Sequence, residues 1–387
     1  MKLFFVFAWF LLPFLALPAQ SRTWLVEKDG SGDFTIIQDA LDAATSGDTL
    51  RIGAGRFDDF REYQTNGGLI QPRAMIQVPE MTFIGAGKEQ TIIGPSEYTW
   101  DGEEPIPEGV ICIAQEPPGG LRFSGISFEN TVSGIYVENA VGLTVDDCRF
   151  FGGRNGILCE EDVIVQRCSF SGLKKGVWAG PAESATILNC VFSDCRNSIS
   201  FQFLDNGTVR RCEISVSEGI YGGGVKFYGA GGGVYDSQIT GVAYSIALGS
   251  HLNVILERNR IVSPGYCIYS DSEWFVAEDN IFESTGFVAP IRLYTRGIPH
   301  TIRNNHILRG TGPAVRVVGH HGAPGYVLDM RDNWWGTTER DSIAAWIYDG
   351  NDAVFPPVEC TVAFEPFASA PLPTEKKSLG GLKAMFR

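Results

Sequence analysis

Between about residues 121 and 335 a single pattern recurs: V-x-x-C-x-F, then nine residues from the Cys to the hydrophobic residue of a G-I-x step. The Cys slot is filled in turn by Ile126, Cys148, Cys168, Cys190, Cys212, Ser237, Asn259, Asn280, Asn305 and Asn333, at steps of 20 to 28 residues. Three residues earlier stands an apolar side chain, from Val145 and Val165 to Ile302 and Met330. Two residues later stands another, from Phe150 and Phe170 to Ile307 and Trp335. A period this short and regular is one solenoid coil per repeat.

The second half of each repeat places apolar residues two apart, as in Ile135/Val137, Ile157/Cys159, Val177/Ala179, Ile199/Phe201, Val225/Phe227, Ile246/Leu248, Ile268/Ser270, Ile291/Leu293 and Val315/Val317. That spacing marks strands with one buried face. Such short β-branched strands with Gly or Asn corners do not form helical repeats. Stacked in register, they put like residues roughly 4.8 Å apart. The expected fold is an all-β, right-handed parallel β-helix solenoid.

Both ends of the repeat read as short capping helices. At the N-terminal end Thr35 and Gln38 are spaced as a capping box, with Ile36, Ile37, Ala40, Leu41 and Ala44 as the apolar face, and Thr49 to Ile52 begins the first strand. At the C-terminal end Thr338 and Asp341 are placed to cap a helix through Tyr348, and Val358 to Phe364 reads as a last strand. Residues 1–19 read as a signal peptide, Lys2 followed by LFFVFAWFLLPFLAL and then Pro18-Ala19, so the organisation expected is leader 1–19, solenoid 20–368 and tail 369–387. The expected location is secreted, periplasmic or cell-surface, without a membrane span after cleavage of the leader. A net charge of -14 argues against nucleic-acid partners.

Nine cysteines in an exported chain suggest disulfides, yet four fill consecutive ladder slots, and Cys112 and Cys159 fall on inward positions. They are read as a stack of small buried side chains, with a bridge such as Cys148 to Cys168 left open. The asparagines from Asn259 to Asn333 are placed to bond one another and the corner backbone. No metal or cofactor is expected. His320 and His321 lack a carboxylate or thiolate spaced to join them, and Asp349, Asn351 and Asp352 read as a turn.

The segment VEKDGSGDFTIIQDALDAA, followed by a short strand and Gly53-Ala54-Gly55-Arg56-Phe57, resembles the opening of pectin methylesterases and of pectin-lyase-like β-helix proteins. With the coil repeats and the ending DNWWGTT, the resemblance covers nearly the whole chain after the leader. It implies the β-helix fold. The Q-D-T-L, D-F-I-F-G and L-G-R-P-W segments that carry pectin methylesterase catalysis are absent, as are the signatures of calcium-dependent pectate lyases and of polygalacturonases. No family catalytic residue carries over.

Candidate sites therefore come from the outward residues of the repeated strands, which form two stripes. One is Tyr136, Leu158, Trp178, Ser200, Lys226, Ala247, Tyr269, Arg292 and Arg316; the other is Glu138, Glu160, Gly180, Gln202, Tyr228, Gly249, Asp271, Tyr294 and Val318. Aromatic, amide and charged side chains along an extended groove suit a polysaccharide or other glycan partner. Glu138 and Glu160 occupy equivalent slots one coil apart, roughly 5 Å, the spacing of a retaining glycosidase pair, and are the candidate catalytic residues. Tyr136, Trp178, Gln202, Lys226, Tyr228, Tyr269, Asp271, Arg292, Tyr294 and Arg316 are the candidate substrate-binding residues. A lyase would instead use an Arg or Lys as base, so hydrolysis and elimination both stay open. Two excursions, Asp58 to Pro79 and Pro95 to Gly109, add Tyr98, Trp100, Glu103, Glu104 and Arg73 as possible ligand contacts. The competing reading is a non-catalytic structural or adhesive rod of the cell surface or envelope. Oligomeric state is not legible.

Overall fold

The computed structural model describes residues 21–371 other than 66–67, 79, 104, 114–119, 139–141, 218–221, 250–252, 272–273, 296–299, 321–324 and 353–359. The leader, Glu104, His321 and most of the tail thus lie outside the described residues. The chain is an all-β right-handed parallel β-helix built from three long sheets. The first has 12 strands, from Thr23–Val26 to Thr301–Arg303; the second has 11, from Gly55–Phe57 to His306–Leu308. The third has 13, from Tyr63–Thr65 to Ile347–Tyr348. Each coil visits the three in that order, and like positions of successive repeats pair, as in Val145 with Val165 and then Ile187.

The repeat folds this way because each slot solves a local problem. Between the first and second sheets the chain turns on one residue in the left-handed region: Asp147, Arg167, Arg211, Asp236, Arg258 and Asp279 all have φ between 49° and 58°. That conformation is unfavourable for a residue with a Cβ. The next side chain, the ladder slot, turns inward and bonds backbone that the bend strands. Asn259 Nδ2 donates to the Val234 carbonyl at 2.7 Å, while its backbone N–H donates to Asn280 Oδ1 at 2.9 Å. Asn280 repeats this toward Asn305, and Asn305 toward Asn333. Upstream the slots hold Cys148, Cys168, Cys190 and Cys212; all nine cysteines are free and buried. Phe128, Phe150, Phe170 and Phe192 stack below them with centroids 5.0, 4.7 and 4.6 Å apart.

The ends differ from the sequence reading. The first strand is Thr23–Val26, ahead of the helix, paired with Thr49–Ile52 so that Trp24 lies opposite Leu50 and Val26 opposite Ile52. The N-terminal helix spans Ile37–Ala43 with Ile36 as its N-cap and no side-chain cap bond. Gln38 does not close a capping box, because its amide pairs with the Met75 backbone at the open edge of the third sheet. The C-terminal helix, Arg340–Trp346, likewise lacks the Thr338 cap, and Ile347–Tyr348 leaves it to add a strand to the third sheet. The last strand is Cys360–Ala363, paired with Tyr326–Asp329 in a separate two-stranded sheet. Asp349 accepts from the Asn351 and Val362 N–H groups at 2.9 and 2.7 Å, so this run is a turn. The excursion from 58 to 79 is itself largely strand, Tyr63–Thr65 and Gly68–Ile76 forming the one antiparallel pair among the described strands. No described helix is long and apolar enough to cross a membrane.

Candidate functional site

The outward face of the third sheet carries most residues of the two stripes; Gly180 is buried just past the end of its strand. A bulge after Leu293 sets Tyr294 opposite Gly319, and Val318 drops out of the second stripe. The strands also expose a third column that simple alternation hides. Just before the first inward residue stands a second buried one: Gly134, Gly156 and Gly176, or Ser198, Ser245 and Cys267. A Cβ on those three glycines would lie 2.7, 2.8 and 2.8 Å from the rings of Phe150, Phe170 and Phe192, so the Phe stack requires glycine there. The alternation slips by one, and the preceding residue reaches the outer face. This column holds the half-buried Lys175, Tyr244 and Tyr266, together with Glu108 and Asn155, which are buried.

Glu138 and Glu160 stand side by side, since Val137 pairs with Cys159 and the Glu160 N–H donates to the Val137 carbonyl at 3.1 Å. The Tyr136 hydroxyl donates to Glu138 Oε2 at 2.9 Å. Partial burial, and then the Glu138 charge, push the Glu160 carboxyl upward. The environment thus makes Glu160 easier to protonate than an ordinary glutamate, while Glu138 accepts from the Tyr136 hydroxyl. Trp178 follows one coil on from Leu158, with the Lys175 ammonium 5.9 Å from its ring centroid. Burial, and then Lys174 and Arg154, make the Lys175 ammonium easier to deprotonate.

A second charged cluster lies at the opposite rim of the same coils. Glu108 is buried and accepts from the Ser133 N–H at 2.6 Å. Burial pushes its carboxyl up to about 7, against the opposing pull of that hydrogen bond and of Arg73 and Arg154. Arg73 is buried on the strand Gly68–Ile76, so it is a wall of this recess and not a loop contact. The Arg154 guanidinium lies 5.1 Å from the Trp100 ring centroid, bringing the second excursion over the recess. Trp100 Nε1 donates to the Glu103 carbonyl at 2.5 Å, and Tyr98 is exposed beside it.

Farther along the solenoid are two more groups. Gln202 and Tyr228 are register partners, and the Lys226 ammonium stands 5.7 Å from the Tyr228 centroid. Then Tyr244, Tyr266 and Tyr269 form a triad with centroids 5.4 to 5.6 Å apart. Arg292 lies over Tyr269 at 4.2 Å and pairs with Asp271 at 3.3 Å. Arg316, one coil on, lies 5.5 Å from the Tyr348 ring. The candidate residues thus divide into three groups along one face, and Lys226 is three coils from Glu160. Sequence reasoning missed Glu108, Lys175, Tyr244 and Tyr266 because it counted two outward positions per strand, and Arg154 because it lies on the corner before Asn155–Cys159. The signal was present: each column residue stands two before the first inward residue, as Tyr244 before Ile246 and Tyr266 before Ile268.

Chemically, the face offers hydrogen-bonding and stacking groups over many coils and a carboxyl pair at one end. The sequence profile described as right handed beta helix region matches residues 133–307. No curated protein sequence matches the chain. Among solved structures, a rhamnogalacturonan lyase is similar at 11% identity, over 78% of this chain and 87% of that one, with a TM-score of 0.46. A pectin methylesterase from carrot is similar at 14% identity, over 66% and 82% of the two chains, with a TM-score of 0.35. A mannuronic acid specific polysaccharide family 6 lyase from human gut microbiota is similar at 10% identity, over 94% of each, with a TM-score of 0.39. These neighbours act on polysaccharides; the likeness to this chain is one of fold.

Proposed function

We propose that this chain binds polysaccharide along the outward face of its third sheet and hydrolyses it at Glu138 and Glu160. The observation that carries the reading is the register that sets the two carboxyl groups one coil apart, with the Tyr136 hydroxyl on Glu138 and the Glu160 carboxyl pushed upward. One coil is roughly 5 Å, the separation at which a carboxyl pair acts with retention. Glu160 is the acid that protonates the leaving oxygen. Glu138 is the nucleophile that forms the glycosyl ester, and water then releases the sugar with Glu160 as base. Trp178 and the Tyr228 and Tyr269 groups hold successive sugar rings on the C-terminal side of the pair, and Lys175, Lys226 and Arg292 bind their oxygens. Residues 1–19 direct export, which puts the face in contact with extracellular or envelope polysaccharide.

The test is product release from a panel of plant, algal and bacterial polysaccharides, recording new reducing ends and absorbance near 235 nm together. New reducing ends without absorbance, lost in Glu138→Gln and Glu160→Gln at unchanged Tm, support the reading. Absorbance would mean elimination and a basic residue as proton acceptor. Absence of both, with no binding, would favour a structural rod.

A further inference from the structure

Phe203 stands at the corner where the third sheet hands over to the first, between Gln202 and Leu204. Its φ is +55°, a conformation rare for a bulky side chain. The register partner one coil on is Gly229, at φ +60°. Strain of this kind is normally repaid by packing, yet Phe203 is 60% exposed. Its ring meets that of Tyr228 edge-on, centroids 5.5 Å apart at 82°. Tyr228 is itself 44% exposed.

Two glycines make the room. A Cβ on Gly229 would lie 2.9 Å from the Phe203 ring, and one on Gly249 would lie 3.2 Å from Tyr228. The result is an exposed edge-to-face aromatic pair at the margin of the third sheet's outer face, with the Gln202 amide and the exposed Lys226 ammonium on the same two strands. Neither ring contributes its area to the core, so the arrangement is explained by something that covers it. A pyranose ring has what this corner lacks: an apolar face of C–H groups for the rings, and hydroxyl oxygens for the amide and ammonium.

We infer that Phe203 and Tyr228 form a sugar-stacking subsite, which takes one pyranose unit of a polysaccharide lying along the solenoid. This rests on the polysaccharide reading above and adds a binding residue outside both outward stripes. The subsite lies two to three coils beyond Glu160, counting through Gly180 to Gln202 and then Tyr228, so it grips the chain away from the carboxyl pair.

The experiment is electrophoresis of the full chain through gels cast with pectin, alginate, xylan or β-glucan, comparing wild type with Phe203→Gly, Phe203→Tyr and Tyr228→Ala. The expected result is that at least one polysaccharide retards wild type and Phe203→Tyr. Phe203→Gly and Tyr228→Ala should bind it about tenfold more weakly, the scale of a lost aromatic contact. Phe203→Gly relieves the backbone, so its Tm should be unchanged or higher while binding falls. Equal retardation of wild type and Phe203→Gly would overturn the subsite and leave the polysaccharide reading standing. A lower Tm with unchanged retardation would make Phe203 a packing residue. Wild type retarded by none of the four would overturn the subsite and the reading together.

Discussion

The side-chain amide of Gln38 makes both backbone hydrogen bonds of Met75: Oε1 accepts from the Met75 N–H at 2.7 Å, and Nε2 donates to its carbonyl at 3.3 Å. A helix residue thus stands in for the neighbouring strand that Gly68–Ile76 lacks at this point, because Tyr63–Thr65 pairs only with its first three residues. An open sheet edge invites pairing with another chain, and a buried N–H and carbonyl without partners are costly. Gln38→Leu should destabilise the chain by about 1–3 kcal/mol. Urea unfolding checks this, and light scattering during refolding should rise with the uncovered edge.

The asparagine ladder is cooperative in the same sense. Asn280 Oδ1 accepts from both Asn259 groups, while Asn280 Nδ2 donates to the Leu256 and Glu278 carbonyls and to Asn305 Oδ1. Asn280→Ala strands buried groups on three coils and should cost about 3 kcal/mol or more. The measurement is the urea midpoint of this variant against wild type.

Glu108 ties stability to pH. Its carboxyl, at about 7 in the folded chain, keeps a proton that the unfolded chain loses near 4.5. Folding therefore takes up a proton between pH 4.5 and 7, and this contribution to stability declines as pH rises through that window. Glu108→Gln stays neutral and still accepts from the Ser133 N–H. It should match wild type near pH 4 and be more stable at pH 8, by about 3 kcal/mol at most. Chemical denaturation at the two pH values decides it.

His300 acts in the opposite direction. Its ring is buried against Phe275 at 4.7 Å, both ring nitrogens lack a partner among the described residues, and burial pushes it down to about 4. The unfolded chain gains a proton below about 6.5 that the folded chain refuses until about 4. Stability is therefore lost as pH falls from 6.5 to 4, by about 3 kcal/mol at most. His300→Phe should flatten the acid limb of a Tm against pH curve while leaving pH 8 unchanged within the cost of repacking.

The sequence by itself determined the solenoid. The slot from Cys148 to Asn333, the Phe stack beneath it and the inward pairs recur at a fixed period, and a period is readable without coordinates because each coil repeats the same local solution. It also placed most of the two outward stripes, because register carries Glu138 beside Glu160 and Tyr269 beside Arg292. Only the tertiary structure decided what breaks the period. The glycines over the Phe stack shift the strand by one residue, which turned Glu108, Lys175 and Tyr244 outward where alternation hides them. Gln38 left its expected cap because an unpaired sheet edge, distant in sequence, was the stronger claim on its amide. Arg73 moved from a supposed loop into a buried wall, and Phe203 came to face Tyr228, because contacts between coils depend on where corners fall and not on the repeat. Local periodicity encodes the stack; its ends, corners and recesses depend on groups that meet only after stacking.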